Sequence, residues 1–448
     1  MREVCTVPDF GTLVTVHRQD LALWVEMAYN LKGSQKVRPV TVRGVKMTLL
    51  ESRPAPADVT YGLSDADQHY YEAEDAVTRH LPKEHRSVVR WVEVDGRRLV
   101  LVGDRLLSIV PNPTYDPVGV PGSLEVYFRA QNHEGKEIRD IIEMAPIPPA
   151  ARDRVARVAK LDEQGVDLAW VLPSLGLGLE EMLAKDVDAL YAVFHSYNQW
   201  LDEDWGYNRD GRILTGPLMS LIDPVKAEEE LKLVIKKGAR FVTFRPAPVQ
   251  APDRYRSLAD PIYDRFWHTA ADAGVTIAFH GADSGYGIYL ERWGESLKYT
   301  GMKMSTLSEV MGVHIERPVF DLVASLICHG LFDRVPNLQI ATVELGAGWV
   351  PELVKRFKRS YGKTPQLYGR DPLETLRSHV SVAPFYEDDI TILRDLIGAD
   401  RILLGSDWPH PEGLGAPRDW LGDFEGLTVD ERRLALRDNL RSLCGFSL

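Results

Sequence analysis

The sequence has few cysteines and lacks a long apolar run. Cys5, Cys328 and Cys444 are the three cysteines in 448 residues, and they lie far apart. Such spacing gives neither a disulfide framework nor a zinc ribbon, so it favours a reduced, cytoplasmic location. No window of about twenty apolar residues occurs, so we expect no membrane span. Asp9 interrupts the N-terminal region where a signal peptide needs an apolar core.

An excess of positive charge is also missing. The formal net charge is -12 at pH 7. Binding to nucleic acid needs a basic face, so the composition argues against a nucleic-acid partner. The net charge says little about the substrate, which we expect to be a small molecule, because a local cationic pocket can coexist with an acidic surface.

Two common catalytic signatures are absent from the sequence. Gly-x-Ser-x-Gly does not occur, and no Ser/His/Asp or Cys/His arrangement can be recognised along the chain. The segment after the first predicted strand, Asp65-Ala-Asp-Gln-His-Tyr-Tyr71, is not a Gly-rich phosphate loop. These absences disfavour a serine or cysteine nucleophile and a dinucleotide-binding fold.

What the sequence does contain is a regular alternation of short apolar runs with helical segments. Asp223 and Pro224, for example, are typical of a helix start, and Leu231 and Val234 follow at helical spacing. Eight strands alternating with helices predict an α/β fold, a (β/α)8 barrel, and the alternative is an open doubly wound sheet. The predicted strands are residues 62–68, 166–173, 212–221, 239–245, 275–280, 338–344, 379–384 and 401–407.

The chain outside this alternation comprises an N-terminal arm and two insertions. We expect residues 1–60 to be an extension, either a loosely ordered arm or a segment ahead of a true start at Met47. Residues 61–448 are predicted to form the barrel. The insertions at 70–150 and 283–315 follow the first and fifth predicted strands. Each is predicted to be a lid or substrate wall, or else peripheral decoration or an oligomer contact.

Asp and His residues, which commonly bind metals, lie at the ends of three predicted strands. Asp67 and His69 are two apart on the first strand, so both side chains face the same side. His280 ends the fifth strand and Asp407 the eighth. Two nitrogen and two oxygen donors at one rim suit Zn²⁺ and also accept Mn²⁺, Fe²⁺ or Co²⁺.

Four further residues are candidates for the same rim. Glu344 ends the sixth strand and is predicted to be the base that activates water, or an acid that orients a neighbour. Arg245 ends the fourth strand and is predicted to bind a substrate carboxylate, or to pair with a rim acid. His410 either contacts the site or caps the next helix. Trp349 either lines an aromatic substrate pocket or packs in the core.

Several motifs together resemble a known family. The chain from about residue 62 onward resembles the amidohydrolase-related family that includes aminocarboxymuconate-semialdehyde decarboxylase. The motifs are Asp65-Ala-Asp-Gln-His-Tyr-Tyr-Glu72, Leu161-Asp-Glu-Gln-Gly-Val-Asp167, Phe279-His280, Phe332-Asp-Arg-Val-Pro-Asn-Leu338, Glu344-Leu-Gly-Ala-Gly-Trp349 and Leu404-Gly-Ser-Asp-Trp-Pro-His410.

The resemblance implies a (β/α)8 barrel with one divalent metal, commonly zinc, or manganese in some aromatic-acid decarboxylases. It assigns the ligand roles to Asp67, His69, His280 and Asp407, and it suggests a homodimer. The chain departs from the family at two positions. Asp67 stands where relatives often have His or Glu, and Glu344 stands where the decarboxylases have a catalytic His.

These departures leave three hypotheses for function. The first is a metal-dependent hydrolase of a small organic, aromatic or carboxylated substrate, in which Asp407 or Glu344 accepts the proton of metal-activated water. The second is a nonoxidative decarboxylase of an aromatic or unsaturated carboxylic acid. The third is a barrel that binds without catalysis, and it predicts no bound metal.

Overall fold

A set of parallel strands forms the centre of the molecule. The computed structural model describes residues 58–295 and 305–447, together with Pro56 and an antiparallel pair formed by Arg2–Thr6 and Leu13–His17. Most of the predicted N-terminal extension and residues 296–304 of the second insertion lie outside the described residues. The parallel strands are β1 Leu63–His69, β2 Val166–Leu172, β3 Ile213–Thr215, β4 Phe241–Phe244, β5 Thr276–His280, β6 Ile340–Val343 and β7 Val380–Val382.

The strands form two sheets whose edges are joined by single bridges. One sheet has the order β3-β2-β1 and the other β4-β5-β6-β7. Leu218, just after β3, bridges Thr243 of β4. At the other edges, Ile402 bridges Val382 and Leu404 bridges Asp65. The predicted eighth strand is thus present as two parallel bridges rather than as a continuous strand.

Eight longer helices follow or connect these strands. The Asp223 side chain caps one of them, because it accepts hydrogen bonds from the backbone N–H groups of Val225 and Lys226, as the sequence predicts. The helices are α1 Arg154–Gln164, α2 Val187–Asp204, α3 Pro224–Lys236, α4 Asp264–Asp272, α5 Glu316–Cys328, α6 Trp349–Lys363, α7 Pro372–His379 and α8 Ile390–Ile397. Among the described residues, no helix is long and apolar enough to cross a membrane.

The core has two layers. Leu63, Val166 and Ile213 belong to the larger cluster, in which strands pack on helices. A second cluster collects side chains from the opposite side of the strands, and Trp170 stacks there on Phe241 with ring centroids 4.2 Å apart. Its buried members are Ala66, Leu168, Trp170, Leu172, Leu214, Phe241, Ala278, Ala341, Val343, Ala383, Leu403, Leu440 and Cys444.

Both insertions carry structure of their own. Between β1 and β2, the strands Val89–Val94, Arg97–Val102 and Arg105–Leu106 form an antiparallel sheet, and Val118–Gly119 pairs with Met144–Ala145. Between β5 and β6, the described part includes the helices Gly287–Arg292 and Thr306–Met311. Both insertions begin at carboxyl ends of strands, the edge at which the metal-binding residue types lie.

Candidate metal centre

Four side chains from three strand ends meet in one buried cluster. Asp67 and His69 lie on β1, His280 ends β5, and Glu344 directly follows β6. The Nε2 atom of His69 lies 3.3 Å from Oδ1 of Asp67. The Nε2 atom of His280 lies 3.0 Å from Oε2 of Glu344. Strand periodicity therefore predicted correctly that Asp67 and His69 face the same side.

The hydrogen bonds of the two histidines leave one ring nitrogen of each free for a ligand. Nδ1 of His69 lies 3.0 Å from the carbonyl oxygen of Pro173, and Nδ1 of His280 lies 2.9 Å from that of Gly281. A carbonyl oxygen only accepts, so Nδ1 is the donor in both rings. Both Nε2 atoms and Oδ1 of Asp67 are buried without a hydrogen-bond partner. A hydrogen bond from the other ring nitrogen to a backbone carbonyl is typical of histidines that bind metals.

Asp407 lies next to this cluster, in a second group of potential ligands with His69 and His410. Its Oδ1 atom lies 3.3 Å from Nε2 of His69. Its backbone N–H donates to the carbonyl oxygen of Asp67 over 2.7 Å, which joins the segment after Leu404 to β1. The structure therefore brings Asp67, His69 and His280 together with Glu344, and it places Asp407 beside His69 in an overlapping group.

The charges of the cluster favour a cation. Burial alone would lower the pKa of His280, but the carboxylates of Glu344 and Asp67 outweigh it and raise that pKa to about 10. Burial, together with the carboxylates of Glu344 and Asp67, raises the pKa of Asp407 well above its usual range. A divalent ion would remove this repulsion between carboxylates, and the donors present fit Zn²⁺ or Mn²⁺.

Asp65 lies beneath the cluster and connects its two halves. Its buried carboxylate accepts hydrogen bonds from the backbone N–H and the hydroxyl of Ser406, over 3.0 and 2.6 Å. It also accepts from the backbone N–H of Asp67 and from Nε2 of Gln68. Burial raises the pKa of Asp65 to about 6. Asp65 therefore links the β1 ligands to the segment that carries Asp407.

His410 contacts the site, one of the two alternatives that the sequence left open. Nδ1 of its ring lies 2.7 Å from Oδ1 of Asp407, and Nε2 lies 3.0 Å from the hydroxyl of Ser174. The ring packs against that of His69 at a centroid distance of 4.1 Å. Burial lowers the pKa of His410 well below its usual range, so the ring is neutral. Sequence reasoning missed Ser174, because no local motif marks it.

The first insertion contributes directly to this region. Tyr115, from the insertion, stacks on Tyr71 with centroids 4.4 Å apart and an interplanar angle of 12°. The Tyr71 ring lies in turn 5.7 Å from that of His410. The hydroxyl of Tyr115 donates to Glu72 over 2.9 Å. At least this part of the insertion packs at the site rather than on the periphery.

Arg245 is paired with acids rather than free. Its Nε atom lies 3.1 Å from Glu180, its Nη1 atom pairs with Glu181, and the same Nη1 donates to the backbone oxygen of Asp283. The ion pair that the sequence left as an alternative is therefore present, and a contact to substrate stays a prediction. Trp349 is buried and donates from Nε1 to the carbonyl oxygen of Gly346, and its substrate contact also stays a prediction.

One acid near the centre was not predicted. Glu412 offers an oxygen that lies within 4.8 Å of oxygens of Glu344 and Asp407. Burial and the Glu344 carboxylate raise the pKa of Glu412 to about 7. The sequence places Glu412 in a Pro- and Gly-rich loop, where an acid gives no signal of its own.

Comparison with known proteins now defines the class of the protein. The amidohydrolase family model matches residues 144–446, about two thirds of the chain. The chain therefore belongs to the amidohydrolase family, as the sequence motifs indicated. It is accordingly an enzyme of the amidohydrolase superfamily, whose structural neighbours here include decarboxylases.

Solved structures give more particular similarities. An amidohydrolase from Mycobacterium avium subsp. paratuberculosis K-10 is 40% identical, with a TM-score of 0.82 over 87% of this chain and 99% of that chain. 2,6-Dihydroxybenzoate decarboxylase from Rhizobium is 19% identical, with a TM-score of 0.51 over 64% and 87% of the two chains. 5-Carboxyvanillate decarboxylase from Novosphingobium aromaticivorans DSM 12444, with bound manganese, is 14% identical, with a TM-score of 0.52 over 86% and 98%.

Proposed function

We propose that the protein is a metal-dependent hydrolase that acts on a small organic substrate through activated water. The observation that carries the proposal is the buried cluster at the strand ends, in which unpartnered ligand atoms of Asp67, His69 and His280 face two further carboxylates. Family membership supports it, because amidohydrolases use this edge of the fold for metal chemistry.

We propose that the strands close into a (β/α)8 barrel within residues 61–448, with insertions after β1 and β5. The bridges from Ile402 to Val382 and from Leu404 to Asp65 support this closure. The second core cluster, which contains Trp170 and Phe241, also supports closure. Each of the seven strands, or the residue directly after it, contributes a side chain to this cluster, and so does Leu403. In such a barrel the carboxyl ends of the strands converge on one face.

The residues that would hold the ion are Asp67, His69 and His280, with Asp407 as the fourth, and zinc is the expected metal. A bound divalent ion would supply Lewis-acid chemistry, polarising a substrate carbonyl and lowering the pKa of water. The Nδ1 hydrogen bonds of His69 and His280 fix both rings so that Nε2 faces the cluster. Burial of both imidazoles excludes bulk water from that side.

Glu344 is the carboxylate best placed to accept a proton from water. Its side chain is 24% exposed, compared with 5% for Asp67 and 13% for Asp407. In the ion-free protein burial would raise the pKa of Glu344, but the charged imidazoles of His280 and His69 outweigh burial and lower that pKa, which favours the carboxylate form. An ionised, accessible carboxylate beside the cluster is in the form that a general base requires.

Decarboxylation is the second candidate, because aromatic-acid decarboxylases share the fold. It requires a group that receives the substrate carboxylate. Arg245, predicted for that task, already pairs with Glu180 and Glu181. Glu344 stands where the decarboxylases that the sequence resembles have a catalytic His, and this difference supports hydrolysis.

Metal analysis combined with product analysis tests the proposal. We expect about one zinc or manganese per chain, lost in the His280→Ala and Asp407→Asn variants. The loaded protein is then screened with esters, amides and aromatic carboxylic acids, monitoring acid release and CO2 in parallel. Acid release without CO2 supports hydrolysis, and CO2 release establishes decarboxylation instead. A wild type that binds no metal after reconstitution at neutral pH contradicts both and leaves the non-catalytic hypothesis.

A further inference from the structure

Asp407, His410 and Ser174 form a continuous hydrogen-bonded chain. Oδ1 of Asp407 lies 2.7 Å from Nδ1 of His410, and Nε2 of His410 lies 3.0 Å from Oγ of Ser174. Ser174 is 7% exposed, and it follows β2, on the far side of His410 from Asp407. Ser174 and His410 are 236 positions apart, so only the fold joins them.

Donor and acceptor roles along this chain follow from the charge of Asp407. A carboxylate that binds an ion is deprotonated, and its oxygens only accept hydrogen bonds. Nδ1 of His410 must then be the donor, which makes Nε2 of the neutral ring an acceptor. Ser174 is the donor within hydrogen-bond distance of Nε2 among the described residues. The carbonyl oxygen of Tyr70, at 3.0 Å, is a second acceptor for this hydroxyl. Rotation about the Cβ–Oγ bond therefore lets Ser174 donate to either acceptor.

The backbone of Ser174 is fixed by Glu72. One oxygen of this buried carboxylate accepts hydrogen bonds from the backbone N–H groups of Ser174, Leu175 and Gly176, over 3.0, 2.9 and 3.1 Å. Tyr197 donates to the same oxygen over 2.7 Å. The hydroxyl of Ser174 is therefore presented to His410 from a loop that cannot easily move.

We propose that Ser174 is a positioning residue of the metal centre. Its hydroxyl donates to Nε2 of His410, which fixes the ring in the tautomer that directs Nδ1–H at Asp407. The oxygen Oδ1 is thereby held, and the Asp407 carboxylate keeps one orientation toward the ion. This inference rests on the proposed function, because it takes Asp407 as a ligand.

A Ser-His-Asp order also raises the question of a serine nucleophile, and the surroundings of Ser174 disfavour it. A serine nucleophile needs nearby N–H donors to stabilise the oxyanion. The backbone N–H groups of Ser174, Leu175 and Gly176 all donate to Glu72 instead. The positioning role needs no such donors.

A double-mutant cycle on metal affinity tests the proposal with the full-length protein and Co²⁺ as the probe. Dissociation constants come from competition with a chelator, and the visible absorption of bound Co²⁺ reports the ligand geometry. We expect Ser174→Ala to weaken binding about tenfold and to change the spectrum, as loss of outer hydrogen-bond partners commonly does. Ser174→Thr keeps a hydroxyl and should restore both. In the His410→Gln background, Ser174→Ala should have a much smaller effect, because the hydrogen bond to Asp407 is already lost and only a long contact of the Ser174 hydroxyl with Nδ1 of His69, at 3.5 Å, is left.

Ser196→Ala is the matched control. Ser196 is also buried and donates to the carbonyl oxygen of Val77, on helix α2 away from the centre. The Ser196→Ala variant should have a lower melting temperature but the Co²⁺ affinity and absorption spectrum of the wild type. Thermal melts of every variant separate folding losses from metal effects.

Three results would overturn the inference. Wild-type Co²⁺ affinity and spectrum in Ser174→Ala would show that the hydroxyl positions nothing. Equal losses in the wild-type and His410→Gln backgrounds would show that Ser174 acts independently of His410. Covalent labelling of Ser174 by a phosphonate ester, with unchanged metal affinity in Ser174→Ala, would make it a nucleophile. Failure of the proposed function is distinct: without a metal site the wild type itself would bind no Co²⁺, and decarboxylation in place of hydrolysis would leave the Co²⁺ affinities and spectra of all variants unchanged.

Discussion

Glu344 and Asp407 share an unusual backbone conformation. Their φ angles are 51° and 55°, in the left-handed region that residues other than Gly seldom occupy. Each such residue costs about 1–3 kcal/mol, so the surrounding contacts must maintain it. For Asp407 these contacts include its own N–H bond to Asp67 and the clamp of Asp65 on Ser406. Strain at two carboxylates of one cluster is the pattern of a functional site.

Replacement of Glu344 separates the roles of base and ligand. We expect Glu344→Gln to lower kcat by about 10²- to 10⁴-fold, since an amide cannot accept the proton of water. Metal content should stay near one per chain, measured by elemental analysis of the same sample. Asp67→Asn is the control variant, and it should lose the metal. If Glu344→Gln loses the metal as well, Glu344 is a ligand and the base is another residue.

Metal binding should depend on pH through His280. The carboxylates of Glu344 and Asp67 overcome the effect of burial and raise the pKa of His280 to about 10 in the ion-free protein. Below that pH an incoming ion must displace the proton, so affinity falls as pH falls and rises about tenfold per pH unit for each proton released. Chelator competition at pH 6, 7 and 8 measures the slope. A slope of zero would show that His280 is already neutral in the ion-free protein.

At the scale of elements, loops at the carboxyl ends of the strands are joined by one acid. Glu72, just after β1, accepts from the loop after β2, from Tyr197 of α2 and from Tyr115 of the first insertion. Five hydrogen-bond donors from three segments of the chain therefore meet on this one buried carboxylate. The first insertion is thereby attached to the loops that surround the metal centre.

Loss of the Tyr115 hydroxyl should weaken this attachment. Tyr115→Phe keeps the stack on Tyr71 but removes one hydrogen bond to a buried charged group, so we expect a loss of about 1–3 kcal/mol in the free energy of unfolding. Urea denaturation measures the change. Tyr361→Phe, on α6, is the control and should change stability by less than about 0.5 kcal/mol. Equal stability of Tyr115→Phe and the wild type would mean that the insertion is held by other contacts.

At the scale of the whole molecule, the metal centre connects segments that are distant in the chain. Its residues come from β1, β5, the end of β6 and the segment before His410. An ion bound to all of them favours the folded state over the unfolded chain, in which these residues are far apart. A bound ion would therefore stabilise the fold as well as supply chemistry.

Metal removal should lower thermal stability. An ion at about 1,000 times its dissociation constant adds about 4 kcal/mol, which corresponds to a shift of several degrees in the melting temperature. Calorimetry before and after treatment with a chelator measures the shift, and re-addition of zinc or manganese should reverse it. The His280→Ala variant is the control, and its melting temperature should not respond to the chelator. If the melting temperature of the wild type did not change on treatment with the chelator, the result would argue against a resident ion.

Local sequence patterns were sufficient to predict seven of the eight strands, and the ligand roles stay a prediction. Alternation and apolar runs predicted seven strands that the structure contains, because these signals depend on neighbouring residues alone. The same patterns located Asp67, His69, His280 and Asp407 at strand ends. The eighth segment was predicted as a strand but appears as two bridges, at Ile402 and Leu404.

Only the tertiary structure decided which side chains meet across the strand ends. The chain Asp407–His410–Ser174 joins residues more than two hundred positions apart, and the ion pairs of Arg245 connect two separate loops. No local pattern encodes such contacts, since loop geometry and the packing of neighbouring strands determine them. The sequence determined the chemistry that is available at the rim. The fold determined which of these groups come together, which orient one another and which neutralise one another.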